Sequence, residues 1–178
     1  MSDLRKKLEG ALTVKGGASS DFDLNPDIKT PDVKLTPAAV LIGIRAETET
    51  VFLTKRSAKL KHHPGQIAFP GGKQDPTDVT LTDAALRESH EEIGLPAGIV
   101  DVVGTLPHHQ TVTGYQVTPV LALINGRFDP VAEVGEVSDV FEVPLTHLLA
   151  PENYRIEGRR WQGHRREYYI VPFGPYYI

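Results

Sequence analysis

Apolar and polar positions divide the chain into a short amphipathic start, a polar stretch, and a long succession of strand-like runs. Ala38–Ile44 reads AAVLIGI, a near-continuous apolar run of the kind needed by a strand buried on both faces. Val51–Arg56 gives a second strand, and the intervening AETET a hairpin loop without an Asn-Gly type signal. Further strands are predicted over Val100–Leu106, Val117–Ile124, Val137–Glu142 and Tyr168–Pro172, with a short helix over Leu145–Leu149. Lys59–Gly72, punctuated by HHPGQ and FPGG, reads as loop. Thr82 or Asp83 is placed to cap a helix running to about Ile93, which Gly94 stops. At the N-terminus, Leu4, Leu8, Ala11 and Leu12 share one side of a short helix over Leu4–Leu12. The Gly-, Asp- and Pro-rich stretch Lys15–Lys34 follows it as a loop or arm. The pattern predicts one α/β domain over residues 36–178, preceded by a helix and extended arm over 1–35, with no internal repeat.

Composition narrows the chemistry. The 178 residues are 40% hydrophobic and 24% charged, ordinary for a soluble globular domain. A net charge of −4 gives no general basic field for nucleic acid or anionic membranes, so an anionic substrate would need local cations or metal ions. The chain has no cysteine, which excludes disulfides, thiolate zinc sites and a cysteine nucleophile. No apolar run reaches the length of a signal peptide or a membrane span, and a cytoplasmic location is the expectation.

The stretch Arg87–Leu95, RESHEEIGL, holds three carboxylates within five residues. On a helix Glu88, Glu91 and Glu92 fall within an arc of roughly 100°, where like charges repel. Such a cluster is either a solvated acidic face or a site for hard divalent cations. Upstream stands FPGGKQDPTD, Phe69–Asp78, whose Gly71 and Gly72 allow close backbone approaches. A glycine loop followed by a carboxylate helix can hold metal ions against a phosphate chain, because magnesium takes oxygen ligands from a few carboxylates, waters and substrate phosphates.

The segment resembles the Nudix box, G-x5-E-x7-R-E-U-x-E-E-x-G-U, with Gly72, Arg87, Glu88, Glu91, Glu92, Gly94 and Leu95 in its fixed roles. Fourteen residues rather than thirteen separate Gly72 from Arg87, Asp78 stands where the first glutamate is expected, and Ser89 replaces the bulky aliphatic. Upstream, FLTKRSAKLKHHPGQIAFPGG is similar to the segment before the box in the coenzyme A pyrophosphatase branch, matched by Thr54, Arg56, Ser57, Gly65 and Phe69–Gly72. Lys61 stands where that branch commonly has arginine, which keeps the charge but not the bidentate fork. The later TVTGYQVTPV, Thr111–Val120, is also typical of it.

The resemblance implies a Nudix α/β/α sandwich with a mixed β-sheet and metal-dependent hydrolysis of a phosphoanhydride. It implies Mg²⁺ or Mn²⁺ on Glu88, Glu91 and Glu92, and coenzyme A or acyl-CoA cut to 3′,5′-ADP and (acyl-)4′-phosphopantetheine. Arg87, grouped with the catalytic residues, is expected to orient a glutamate or tie the helix to the glycine loop. Glu91 and Glu136 are equal candidates for general base. Arg56, Lys61, Gly71 and Gly72 are expected at the substrate, with Lys59 either beside them or plain solvated charge. Alternatives are a pyrophosphatase acting on ADP-ribose or another nucleoside diphosphate derivative, and a non-catalytic nucleotide-sensing module. The expected partner is a small molecule, not nucleic acid or membrane, with homodimerisation left open.

Three features stand outside that scheme. The pairs His62–His63 and His108–His109 point to opposite faces of extended chain, against a shared metal. The run Gly158–Tyr169, GRRWQGHRREYY, mixes cations with aromatics and is expected as strand, loop, strand near the cleft or as packing. In the coenzyme A branch a tract like PYYI leads into a C-terminal helix that is apparently absent here, and its loss should bare apolar sheet surface.

Overall fold

The computed structural model describes residues 3–14, 16–28, 32–60, 63–161 and 163–178. Helix α1 (Asp3–Thr13) is followed by strands β1 (Ser19–Ser20), β2 (Thr36–Arg45), β3 (Thr50–Arg56), β4 (Ile67–Ala68) and β5 (Gly71–Lys73). Next come helix α2 (Leu81–Ile93) and strands β6 (Val100–Thr105), β7 (His109–Gln110), β8 (Tyr115–Ile124) and β9 (Val137–Pro144). Helix α3 (Leu145–Leu149), the hairpin β10 (Arg155–Trp161) and β11 (His164–Ile170), and the small pair β12 (Pro172–Phe173) and β13 (Tyr176–Tyr177) complete it.

Nine strands form one mixed sheet in the order β1-β7-β8-β2-β3-β4, with β5 on β2, β6 on β8 and β9 on β3. Its spine is the parallel pair β2 and β8, in register from Thr36 opposite Tyr115 to Arg45 opposite Ile124. Both faces are covered, which is why these strands read as continuous apolar runs. On one face Leu41, Phe52, Val120, Ala122 and Ile124 pack against Ala84, Ala85 and Ile93 of α2. On the other, Ile44, Val51, Leu121 and Leu123 meet Leu4 and Leu8 of α1, with Leu145 and Leu148 of α3 beside them. The alternation along β8 thus sends Val120, Ala122 and Ile124 one way and Leu121 and Leu123 the other. Helices on both sides of a mixed sheet make the α/β architecture expected from the sequence.

The N-terminal arm is tied to the domain over its described residues. β1 pairs in parallel with β7. Buried Asn25 exchanges hydrogen bonds with both backbone groups of Glu167, at 2.9 and 2.8 Å. Leu4 and Leu8 of α1 bury against the second sheet face, and Leu149, Tyr154, Ile156, Tyr169 and Tyr177 stay exposed toward the end of the described chain. Among the described residues no helix is long and apolar enough to cross a membrane.

Candidate active site

Helix α2 is fixed at both ends. The cap is Thr80, not Thr82 or Asp83: its hydroxyl accepts from the Asp83 amide at 3.1 Å, and the Asp83 carboxylate accepts from the Thr80 amide at 2.8 Å. Aspartate here closes the capping box that usually carries glutamate or glutamine, which shifts the start toward the N-terminus. At the other end Gly94 takes a left-handed conformation with φ 71°. Between them Ala84, Ala85, Ser89 and Ile93 face the core, and the fully buried Ser89 hydroxyl donates to the Ala85 carbonyl at 2.7 Å. Serine at this position is satisfied inside its own helix, so it packs without leaving a polar atom unpaired.

That orientation turns the glutamates toward the glycine strand β5. Gly71 donates its amide to Glu92 Oε2 at 3.1 Å. Gly71 has φ 151°, and a Cβ there would stand 2.3 Å from the Ala39 carbonyl oxygen and 2.5 Å from Val40 Cα, so only glycine fits. A Cβ on Gly72 would lie 2.5–2.7 Å from the Glu88 carboxylate. Glu88 therefore lies against bare backbone.

Glu92 is 5% exposed. Burial, with the charges of Glu88 and Glu136 adding to it, pushes its carboxyl up to about 7, against the Gly71 amide and the Arg56 guanidinium, whose nitrogen is 3.9 Å away. Burial also raises half-buried Glu88, opposed by Arg87. Two neighbouring carboxyls that resist ionisation mark a place that a cation would stabilise.

Behind them Arg87 is a hub. Nε and Nη2 grip Asp78 at 3.0 and 2.9 Å in a fork, Nη1 reaches Glu88 at 3.0 Å and Glu91 at 3.1 Å, and Nη2 donates to the Lys73 carbonyl at 3.1 Å. The Arg87 guanidinium in turn holds the Asp78 carboxyl below its usual range. Its donors are thus committed to the carboxylates of Asp78, Glu88 and Glu91 and to the backbone of β5.

A loop from 131 to 136 closes the site. Val131 and Glu133 donate their amides to the carbonyls of Ile93 and Glu92, both at 3.0 Å, and Ser57 donates to the Glu136 carbonyl at 2.7 Å. The resulting cleft of about 550 Å³ is lined by Leu60, Glu88, Glu91, Glu92, Glu133, Gly135 and Glu136. Glu88, Glu91, Glu92 and Glu136 thus share one cleft, Arg56 approaches Glu92, and Lys61 lies outside the described residues. Lys59 is solvent-exposed. Asp78 and Glu133 gained no role from the sequence, although Asp78 stands where the first glutamate is expected and Glu133 precedes Glu136 in EVGE.

Among the described residues, no three His, Cys, Asp or Glu side chains converge into a ready-made metal cage. Carboxylates line the wall of an open cleft instead. All-oxygen donors, crowding of like charge and a suppressed ionisation at Glu92 fit a hard divalent ion that completes its shell with waters and substrate phosphate. His109 is engaged elsewhere, with Ser19 Oγ at 2.8 Å and Asp21 Oδ1 at 3.1 Å. The arginine-rich run forms the β10–β11 hairpin, and none of its described residues lines the cleft.

The model of the NUDIX domain matches residues 34–164. The chain is 39% identical over 156 residues to the uncharacterized Nudix hydrolase NudL of Enterobacter sp. (strain 638), covering 87% of this chain and 81% of that protein. Among solved structures it is similar to the Nudix hydrolase RenU from M. smegmatis, at 25% identity and TM-score 0.51, over 65% of this chain and 73% of that one. The MutT protein from Methanosarcina mazei Go1 shares the fold at 21% identity and TM-score 0.54, over 67% and 83%. Nudix hydrolases generally use divalent ions such as Mg²⁺ or Mn²⁺. With the glycine strand, the acidic helix and the matched family in agreement, the chain belongs to the Nudix hydrolases, enzymes acting on pyrophosphate bonds.

Proposed function

We propose that the enzyme hydrolyses the phosphoanhydride of coenzyme A or an acyl-CoA, releasing 3′,5′-ADP and (acyl-)4′-phosphopantetheine. The observation that carries the site chemistry is the pairing of Glu88 and Glu92 with the bare backbone of Gly71 and Gly72. The substrate rests on the segment Phe52–Gly72, which brings Arg56 to the edge of the cleft.

In this reading Glu88 and Glu92, with Glu91 at the rim, hold Mg²⁺ or Mn²⁺, which when bound neutralises phosphate charge and polarises the phosphorus. The Gly71 amide fixes Glu92, and Arg87 fixes Glu88 and Glu91. Arg56 and Lys61 bind phosphate groups of the substrate. Glu136 takes the proton of the attacking water as its oxygen bonds to phosphorus, and the bridging P–O bond breaks with its electrons leaving on the departing phosphate. Glu136 is preferred to Glu91 because the Glu91 carboxylate is tied to Arg87 at 3.1 Å, whereas Glu136 stands in the same cleft on the 131–136 loop, held through its backbone amide and carbonyl. The catalytic groups are carboxylates throughout, consistent with a chain that has no cysteine.

Product analysis with Mg²⁺ or Mn²⁺, offering coenzyme A, ADP-ribose and a nucleoside triphosphate side by side, tests this reading. Release of 3′,5′-ADP from coenzyme A, lost in Glu92→Gln, is the expected result. Cleavage of ADP-ribose instead would keep the chemistry and overturn the substrate. No turnover of any of them would favour a nucleotide-sensing module.

A further inference from the structure

We propose that Glu133 is a positioning residue that aims Glu136, acting as an acceptor of backbone hydrogen bonds and not as a metal ligand or base. The proposal rests on the reading of Glu136 as the general base.

Three properties of the loop carry it. Glu133 Oε2 accepts two successive amides, Gly135 at 2.8 Å and Glu136 at 2.7 Å. The backbone of Glu133 is held on both sides, its amide by the Glu92 carbonyl and its carbonyl by the Val137 amide, each at 3.0 Å. The carbonyl of Glu136 accepts from Ser57 at 2.7 Å. Glu136 is therefore pinned through its amide by Glu133 and through its carbonyl by Ser57, the residue that follows β3. Its side-chain torsions are the freedom that remains. The tether also reaches α2: the residue that holds Glu136 is bonded through its own backbone to Glu92, so base and acidic helix are registered to each other.

Charge explains why the acceptor is a carboxylate. A fifth acid in a cleft that already holds Glu88, Glu91, Glu92 and Glu136 adds repulsion, and a neutral turn residue would avoid it. Backbone amides bonded to a charged acceptor make shorter and stronger hydrogen bonds than to a neutral one. The loop is exposed at Glu133, Val134, Gly135 and Glu136, with no core side chain among them to hold it. Glu133 supplies the order that packing does not. Gly135 fits the same purpose, since a Cβ there would stand 3.1 Å from Glu133 Oε2.

A base displaced by about 1 Å can lose on the order of a hundredfold in rate. The test is steady-state kinetics of Glu133→Ala, Glu133→Gln, Glu136→Gln and the double variant Glu133→Ala/Glu136→Gln. The substrate is whichever of coenzyme A and ADP-ribose the wild type cleaves. Glu133→Ala should lose about 10- to 100-fold in kcat with little change in KM, since the base and not the substrate is displaced. Glu133→Gln should restore most of that loss, because its amide oxygen accepts the same two amides. The double variant should be no slower than Glu136→Gln alone, since there is no longer a base to aim. A glutamine variant as slow as the alanine one would overturn the proposal, because glutamine keeps the oxygen that accepts both amides. Multiplicative losses in the double variant would overturn it too. An inactive Glu136→Gln beside a fully active Glu133→Ala would overturn this proposal alone. A fully active Glu136→Gln would remove the base assignment and the proposal with it. If the alanine variant does not fold, the glutamine variant decides: near-wild-type kcat supports an acceptor role, and loss comparable to Glu136→Gln refutes it.

Discussion

Replacing Glu92 by glutamine should make the metal-free protein more stable at alkaline pH while abolishing its activity. Glu92 is 5% exposed and its carboxyl lies at about 7 against an ordinary 4.5, raised first by burial and then by the charge of Glu88. The unfolded chain releases this proton near the ordinary value, whereas the folded chain keeps it until about pH 7. Between those two points the native state binds more protons than the unfolded state, so stability falls as pH rises. The slope is about 1.4 kcal/mol per pH unit, and the accumulated loss above the window is on the order of 3 kcal/mol. Glutamine keeps an oxygen for the Gly71 amide and carries no charge to desolvate. For a chain of this size each kcal/mol moves the midpoint by roughly 2–4 °C, so the variant should melt roughly 6–12 °C above wild type near pH 8. Near pH 4.5, about the lower edge of the window, the gap should close. Thermal unfolding in EDTA across pH, followed by circular dichroism, measures this. A variant less stable than wild type near pH 8, or a gap that does not change with pH, would refute the buried-charge reasoning.

The two glycines of β5 should separate stability from activity. Gly71→Ala drives a Cβ into backbone at 2.3 and 2.5 Å and occupies an unfavourable φ, so its melting temperature should fall by roughly 5–15 °C, for a cost of about 2–4 kcal/mol. In Gly72→Ala the obstacle is the movable Glu88 carboxylate, so kcat should fall while the melting temperature changes by only about 1–3 °C. Equal melting temperatures for the two would contradict the placement of β5 against β2. Arg87→Lys keeps the charge but loses the fork on Asp78 and the bonds to Glu88, Glu91 and the Lys73 carbonyl. Its kcat should drop by about 10- to 100-fold on steady-state assay, and a fully active lysine variant would show that the hub has no part in orienting the glutamates.

Much of this architecture is written in local sequence. The runs at β2, β3 and β8 were legible because strands buried on both faces need near-continuous apolar residues. The acidic helix was legible because its carboxylates, glycine loop and glycine stop lie within one short segment. What escaped depends on partners distant in sequence. The parallel pairing of β2 with β8 joins residues some eighty apart, and the docking of Leu4 and Leu8 follows from which sheet face α2 leaves open. The polar stretch after α1 reads as arm because its anchors, Asn25 and β1, bond to backbone at Glu167 and β7. In the site, Asp78 gained meaning only when the fold of Arg87 onto it was visible. Glu133 was hidden for a different reason: a carboxylate that bonds the amides of its own turn leaves no periodic signature.

The most direct test of the acidic cleft as a divalent-metal site is Mn²⁺ binding to the wild type, Glu88→Gln, Glu92→Gln and Glu136→Gln. Free Mn²⁺ is read by electron paramagnetic resonance in the absence of substrate. Affinity should fall by at least about tenfold in Glu88→Gln and Glu92→Gln and stay near wild type in Glu136→Gln, which removes the proposed base and not a proposed metal ligand. Undiminished Mn²⁺ binding by Glu92→Gln would contradict the assignment of the metal to the glutamate pair that α2 presses against Gly71 and Gly72.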